Sequence, residues 1–120
     1  MIPFAGAAVT GVKLGRKLIQ VHHIVPKAIY KEFLPQLTKA GVKLNDVKNL
    51  KKLPVPFHGN HPAYNHRVRE GIQELVTDGK LTKESVENLQ KELRYEINDV
   101  MKSGEFERMN HYYKELGYKK

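Results

Sequence analysis

The sequence predicts an α+β fold: a small β-hairpin with a helix on it, surrounded by additional α-helices. Two short runs of β-branched and aliphatic residues, over 17–25 and 50–55, have strand character, and prolines stop both. Two later stretches, from Pro62 and from Thr82, repeat apolar residues at three- and four-residue steps, the period of a helix with one buried face. At 120 residues the chain is long enough for one modest core and too short for two.

Each element follows from its residues. Residues 1–15 are small and glycine-spaced, the expectation for a linker or the remnant of a longer chain. Within them the apolar run Ile2 to Val9 lacks a basic leading segment and is far too short to span a bilayer, so no signal peptide and no membrane association are expected. The first strand, Lys17 to Val25, ends at Pro26. Ile29, Tyr30, Phe33, Leu34 and Leu37 then have helical spacing, and Pro35 leaves either one helix or two short pieces ending at Gly41. A loop covers 44–49 before the second strand. Ala63, Val68, Ile72, Leu75 and Val76 form the stripe of a helix stopped at Gly79. Val86, Leu89, Leu93, Ile97 and Val100 form the core-facing stripe of a second helix over 82–103, with Gly104 as its C-cap. A short last helix is expected over 106–116.

The absence of cysteine excludes disulfides, thiolate zinc sites and a cysteine nucleophile, so any metal site must draw on His, Asp, Glu and Asn. A net charge of +8 attracts polyanions, chiefly through phosphate contacts and counterion release.

Five of the six histidines fall into two clusters. His22-His23 closes the first strand, and His58, His61 and His66 surround the start of the helix at Pro62. Asn49 lies between them, just ahead of the second strand. Phosphodiester hydrolysis needs a water made nucleophilic, charge neutralised on the phosphate, and a stabilised leaving alkoxide. A neutral imidazole can take the water's proton near neutral pH. Other imidazoles can hold a divalent cation whose open positions face the phosphate. Imidazole ligands suit zinc, nickel and related ions, whereas magnesium favours oxygen.

The ordered trio His22-His23-Ile24-Val25-Pro26, Asn49-Leu50 and His58-Gly59-Asn60-His61-Pro62-Ala63-Tyr64-Asn65 resembles the AHH group of HNH/endonuclease VII nucleases. These are the ββα-metal, or His-Me finger, nucleases, common as toxin tips of bacterial polymorphic toxins. The resemblance covers residues 20–76 within an expected nuclease domain over 16–120, whose helical C-terminal part spans 82–116. Val21 stands where the group's name has alanine. The resemblance implies that His23 is the general base, that Asn49 braces the loop and orients the base, and that His22, His58 and His61 ligate the metal. Many members space the last two ligands by four residues rather than three, which leaves His58 acting from a loop and His66 as a possible substitute. It further implies one divalent ion (Zn, Ni, Mg or Mn) and an endonuclease acting on nucleic acid, DNA more than RNA. The biological role implied is the C-terminal toxin domain of a secreted bacterial effector acting in the target-cell cytoplasm, neutralised by an immunity protein. The positive charge makes that inhibitor acidic.

Lys51, Lys52, Arg67 and Arg69 flank this site and suit phosphate contacts. Tyr64 is expected to pack beneath it. The competing class is a non-catalytic nucleic-acid-binding module braced by a structural His-bound metal, which chelation would unfold.

Overall fold

The computed structural model describes residues 19–118. The expected lead-in over 1–15, the first residues of the expected strand and domain, and Lys119-Lys120 lie outside them. The elements run β1 (Ile19–His23), α1 (Lys27–Glu32), α2 (Leu34–Lys39), a 3-10 turn (Val47–Asn49), β2 (Leu50–Pro54), α3 (Val55–His58), α4 (Pro62–Thr77), α5 (Lys83–Ser103) and α6 (Met109–Glu115). The fold is α+β, as the sequence predicts.

β1 and β2 form one antiparallel pair, with His22 opposite Lys51 and His23 opposite Leu50. Side chains alternate across a strand. His22 therefore turns inward and is buried, while Val21 faces out, 53% exposed. β1 stops two residues earlier than expected because the polar backbone of Val25 finds another partner. Asn49 accepts from the Val25 amide at 2.7 Å and donates to the Val25 carbonyl at 3.1 Å. That side chain replaces a strand neighbour, so the chain can bend at Ile24 and Val25 while burying both.

The stretch 27–40 forms two short helices meeting at Phe33, with Pro35 in the first turn of α2, where its missing N–H costs nothing. The expected loop over 44–49 closes in the 3-10 turn, capped by Asp46, which accepts from the Lys48 amide. β2 ends at Pro54 rather than Val55, because Pro54 is the N-cap of the short helix α3. Gly59 then turns the chain with φ 41°, a conformation that side chains disfavour, and α4 begins at Pro62. His58 and His61 consequently stand on two elements, not on one helix face.

The long helices carry the core. Val68 and Ile72 of α4 and Val86, Leu93 and Ile97 of α5 are fully buried. Gly71 lets the two helices approach, since a Cβ there would meet Leu89 at 3.2 Å. Thr82 and Ser85 form a reciprocal capping box at the start of α5, and Gly104 ends it in the left-handed region. The last helix is shorter than expected at Met109–Glu115. It nevertheless caps α4, as the Asn110 side chain accepts from the Ala63 amide at 2.7 Å. No helix among the described residues is long and apolar enough to cross a membrane.

Candidate active site

His22, His58 and His61 converge where β1, α3 and the start of α4 meet, with one ring nitrogen of each within 4.8 Å of the others. Their ring centroids form a nearly equilateral triangle, 4.9, 5.0 and 5.0 Å on a side. Tyr64 forms the floor, its ring edge-on to both His22 and His61 and its hydroxyl donating to the Ile24 carbonyl. Tyr113 supports Tyr64 from behind and donates to Glu96 at 3.0 Å.

Two side-chain amides orient the rings. His58 Nδ1 lies 2.9 Å from Gln20 Oε1, and His61 Nδ1 lies 2.9 Å from Asn65 Oδ1. An amide oxygen only accepts, so each Nδ1 carries the hydrogen and each Nε2 presents a lone pair. Those two Nε2 atoms face each other at 3.2 Å. His22 is 1% exposed, and neither of its ring nitrogens has a partner.

Burial, reinforced by the positive charge that His61 and His58 would carry, pushes the His22 pKa down to about 2. Burial also lowers His58 and His61. The trio is therefore neutral, basic in the Lewis sense and unsatisfied. Orphaned buried nitrogens are costly, and lone pairs directed at one another repel. A divalent cation accepting from all three removes both penalties, and neutral imidazole is the form that binds one. The donor set fits a metal.

His23, next in sequence, turns to the other side of β1. With Val21, Pro26, Lys27 and the trio it lines a small cleft of about 150 Å³. Its Nε2 lies 2.8 Å from Asn45 Oδ1. Asn49 makes no side-chain hydrogen bond to the His23 ring. It is 1% exposed and holds the Val25 backbone and the Leu44 carbonyl, while Gln90 of α5 donates to its Oδ1 at 3.0 Å. Arg94 of α5 donates to the carbonyls of Lys48 and Leu50 and so pins the start of β2.

His66 lies outside the trio. It sits beyond the site on α4, where its Nε2 lies 2.8 Å from the Glu70 carboxylate. The four basic residues divide into two pairs. Arg67 is held between Glu92 and Glu96, and Arg69 donates to both oxygens of Glu32, so their guanidinium groups face carboxylates. Lys51 and Lys52 have no carboxylate partner among the described residues. Lys51 is half-buried opposite His22, its pKa lowered by burial and then by Arg94, and Lys52 is exposed opposite Val21.

Sequence reasoning missed Gln20, Asn45, Gln90 and Arg94. Gln20 had a signal, since it lies two residues before His22 on the same strand face. Asn65 is in the motif itself, and its place one helical turn from His61 fits its role as that ring's partner. The other three act across 22 to 46 positions of chain and leave no local trace.

The inward histidine of the hairpin meets two more, one ending α3 and one at the N-cap of α4, in a group that could hold a metal, and a further histidine lies beside them in an open cleft. A profile described as a nuclease family of the HNH/ENDO VII superfamily with conserved AHH matches residues 9–103, and the chain belongs to that family. Comparison with the curated proteins and with the solved structures gives no match. The chain is a nuclease by family, its substrate a nucleic acid, and its histidine trio is a group that could hold the divalent metal such nucleases generally use.

Proposed function

We propose that this domain is a metal-dependent endonuclease in which His22, His58 and His61 hold one divalent ion and His23 is the general base. The observation that carries the proposal is the placement of an independent histidine, His23, in the same cleft as the trio. A purely structural site needs no such neighbour. His23 takes a proton from a water molecule, whose oxygen bonds to phosphorus as the bond from phosphorus to the 3′ oxygen breaks. Solvent returns a proton to the departing oxygen. An ion held by His22, His58 and His61 would supply charge neutralisation to the phosphate and the leaving group. Asn49 keeps the bend after His23 in place, and Lys27, Lys51 and Lys52 supply positive charge around the cleft.

DNA is the favoured substrate by the resemblance, and RNA is the alternative, since a site of this kind attacks the phosphate and need not read a base. The biological role proposed is the toxin domain of a secreted bacterial polymorphic toxin, acting in the cytoplasm of a target cell and neutralised by an immunity protein. It rests on the resemblance of the histidine and asparagine motifs, and the net charge of +8 supports an acidic inhibitor.

The test is to incubate plasmid and total RNA with the domain in zinc, nickel, manganese or magnesium, with and without EDTA, beside His23→Ala. Metal-dependent cleavage that disappears in a folded, metal-binding His23→Ala is the expected result. No cleavage with any ion, together with unfolding on chelation, would establish the structural-metal reading instead.

A further inference from the structure

We propose that Asn45 is the positioning residue of the general base, fixing His23 in the tautomer that has its proton on Nε2 and its lone pair on Nδ1. The inference deepens the nuclease reading and rests on it for its catalytic meaning. Its structural content can be checked separately.

The geometry has three parts. Asn45 Oδ1 lies 2.8 Å from His23 Nε2, and an amide oxygen can only accept there, so Nε2 carries the hydrogen. The amide oxygens of Gln20 and Asn65 make the same contact with the other ring atom, Nδ1, of His58 and His61. The site thus sorts its imidazoles into two classes. Two histidines present Nε2 toward a shared point, and the histidine in the adjoining position presents Nδ1. Asn45 is also held in place, although it is exposed. Its neighbour Leu44 accepts from Asn49 Nδ2 at 2.8 Å, and its other neighbour Asp46 accepts from the Asn49 amide at 2.8 Å and caps Lys48. The buried Asn49 therefore fixes the loop, and the loop presents Asn45 to the base. The middle asparagine of the motif thus acts on His23 through this second one as well as through the bend at Ile24 and Val25.

A lone pair on the wrong nitrogen makes a correctly placed ring useless as a base, so tautomer control enters the rate and not substrate affinity. Long-range proton–nitrogen correlation spectra of the zinc-loaded domain, in mildly alkaline buffer, read the tautomer of each ring directly. Wild-type His23 should show a protonated Nε2 and an unprotonated Nδ1. Asn45→Ala should give an averaged tautomer signal. It should also lower kcat by about tenfold to a hundredfold with KM within about twofold, the range for removing an orienting partner. Asn45→Asp, which keeps an accepting oxygen, should restore the wild-type tautomer and most of kcat. Asn98→Ala, on the exposed face of α5, serves as a neutral control.

A wild-type His23 protonated on Nδ1 overturns the proposal without any variant. So does an Asn45→Ala protein that loses activity with its His23 signals unchanged, or one whose tautomer shifts while kcat does not. Were the wild type to cleave neither DNA nor RNA, the nuclease mechanism would fall, while the spectra would still decide the role of Asn45 toward the ring.

Discussion

His58 Nε2 and His61 Nε2 face each other at 3.2 Å, each with its other nitrogen committed to an amide oxygen. Two lone pairs so placed repel unless something positive stands between them. Divalent metal should therefore stabilise the folded domain. At a hundredfold excess over Kd the gain is about 2.7 kcal/mol, which in a domain of this size raises Tm by roughly 10 °C or more. His61→Ala should abolish the shift in differential scanning calorimetry. An unchanged Tm with zinc, nickel and manganese alike would mean that the trio binds none of them.

The orienting amides should matter nearly as much as the ligands. Gln20→Leu and Asn65→Leu leave every imidazole in place but free His58 and His61 to change tautomer or rotate. Metal affinity should fall by about 10- to 100-fold in each. Titration against a competing chelator measures this. Equal affinity in wild type and variants would show that the ring orientation comes from packing against the neighbouring rings.

Much of this site is legible in the amino-acid sequence. The histidine clusters, the asparagine between them and the helix starting at Pro62 lie within short windows, where residue type and spacing carry the information. The apolar stripe from Val86 to Val100 also reads correctly as core, because a helical period reports which face is buried. What the stripe conceals is the polar edge of the same helix. Gln90 reaches Asn49 and Arg94 reaches the backbone at Lys48 and Leu50, contacts that depend on how α5 lies across the hairpin. The last third of the chain thus carries no motif and yet holds the motif's loop in position. Arg67 is the converse case. Its position beside His66 resembles a phosphate contact, and only the arrival of Glu92 and Glu96 from α5 shows its charge to be occupied.

His23→Ala should separate chemistry from metal binding. The ring is no part of the trio, so zinc affinity and Tm should remain near wild type. Loss of a positioned general base typically costs about 10²- to 10⁴-fold in rate. Single-turnover cleavage of a labelled duplex gives the comparison. Retention of full activity would remove His23 from the mechanism and direct attention to another water-activating group in the cleft.

The metal-free domain should weaken in mild acid. His22 has a pKa of about 2 in the fold, against 6.5 for an ordinary histidine. Above pH 6.5 it is neutral whether folded or unfolded, and its contribution is fully present. Below that value the unfolded chain takes up a proton that the buried ring refuses, so stability falls as pH falls. The loss is about 1.4 kcal/mol per pH unit, or roughly 3 kcal/mol by pH 4.5, from this residue alone. His58 and His61 are shifted in the same direction and add to it. Urea unfolding in EDTA at a series of pH values checks the sign and the onset. A flat profile between pH 7 and 4.5 would mean that His22 has a hydrogen-bond partner in solution.

Lys52 and Arg67 should respond to substitution in opposite ways. Lys52 is exposed on β2, opposite Val21, which lines the cleft, and has no carboxylate partner among the described residues. Its removal should leave folding intact. It should weaken binding to DNA of any sequence and reduce the slope of log affinity against log salt by about one, the signature of one lost phosphate contact. Arg67 is pinned at 2.8 Å to Glu96, whose carboxylate also accepts from Tyr113 beneath the trio. Arg67→Ala strands a partly buried carboxylate and should destabilise the domain by about 1–3 kcal/mol while leaving the salt slope unchanged. Binding isotherms at several salt concentrations, paired with urea unfolding of both variants, distinguish the two roles. A reduced salt slope in Arg67→Ala would show that Glu92 and Glu96 release the guanidinium to the nucleic acid, which would make α4 part of the binding face.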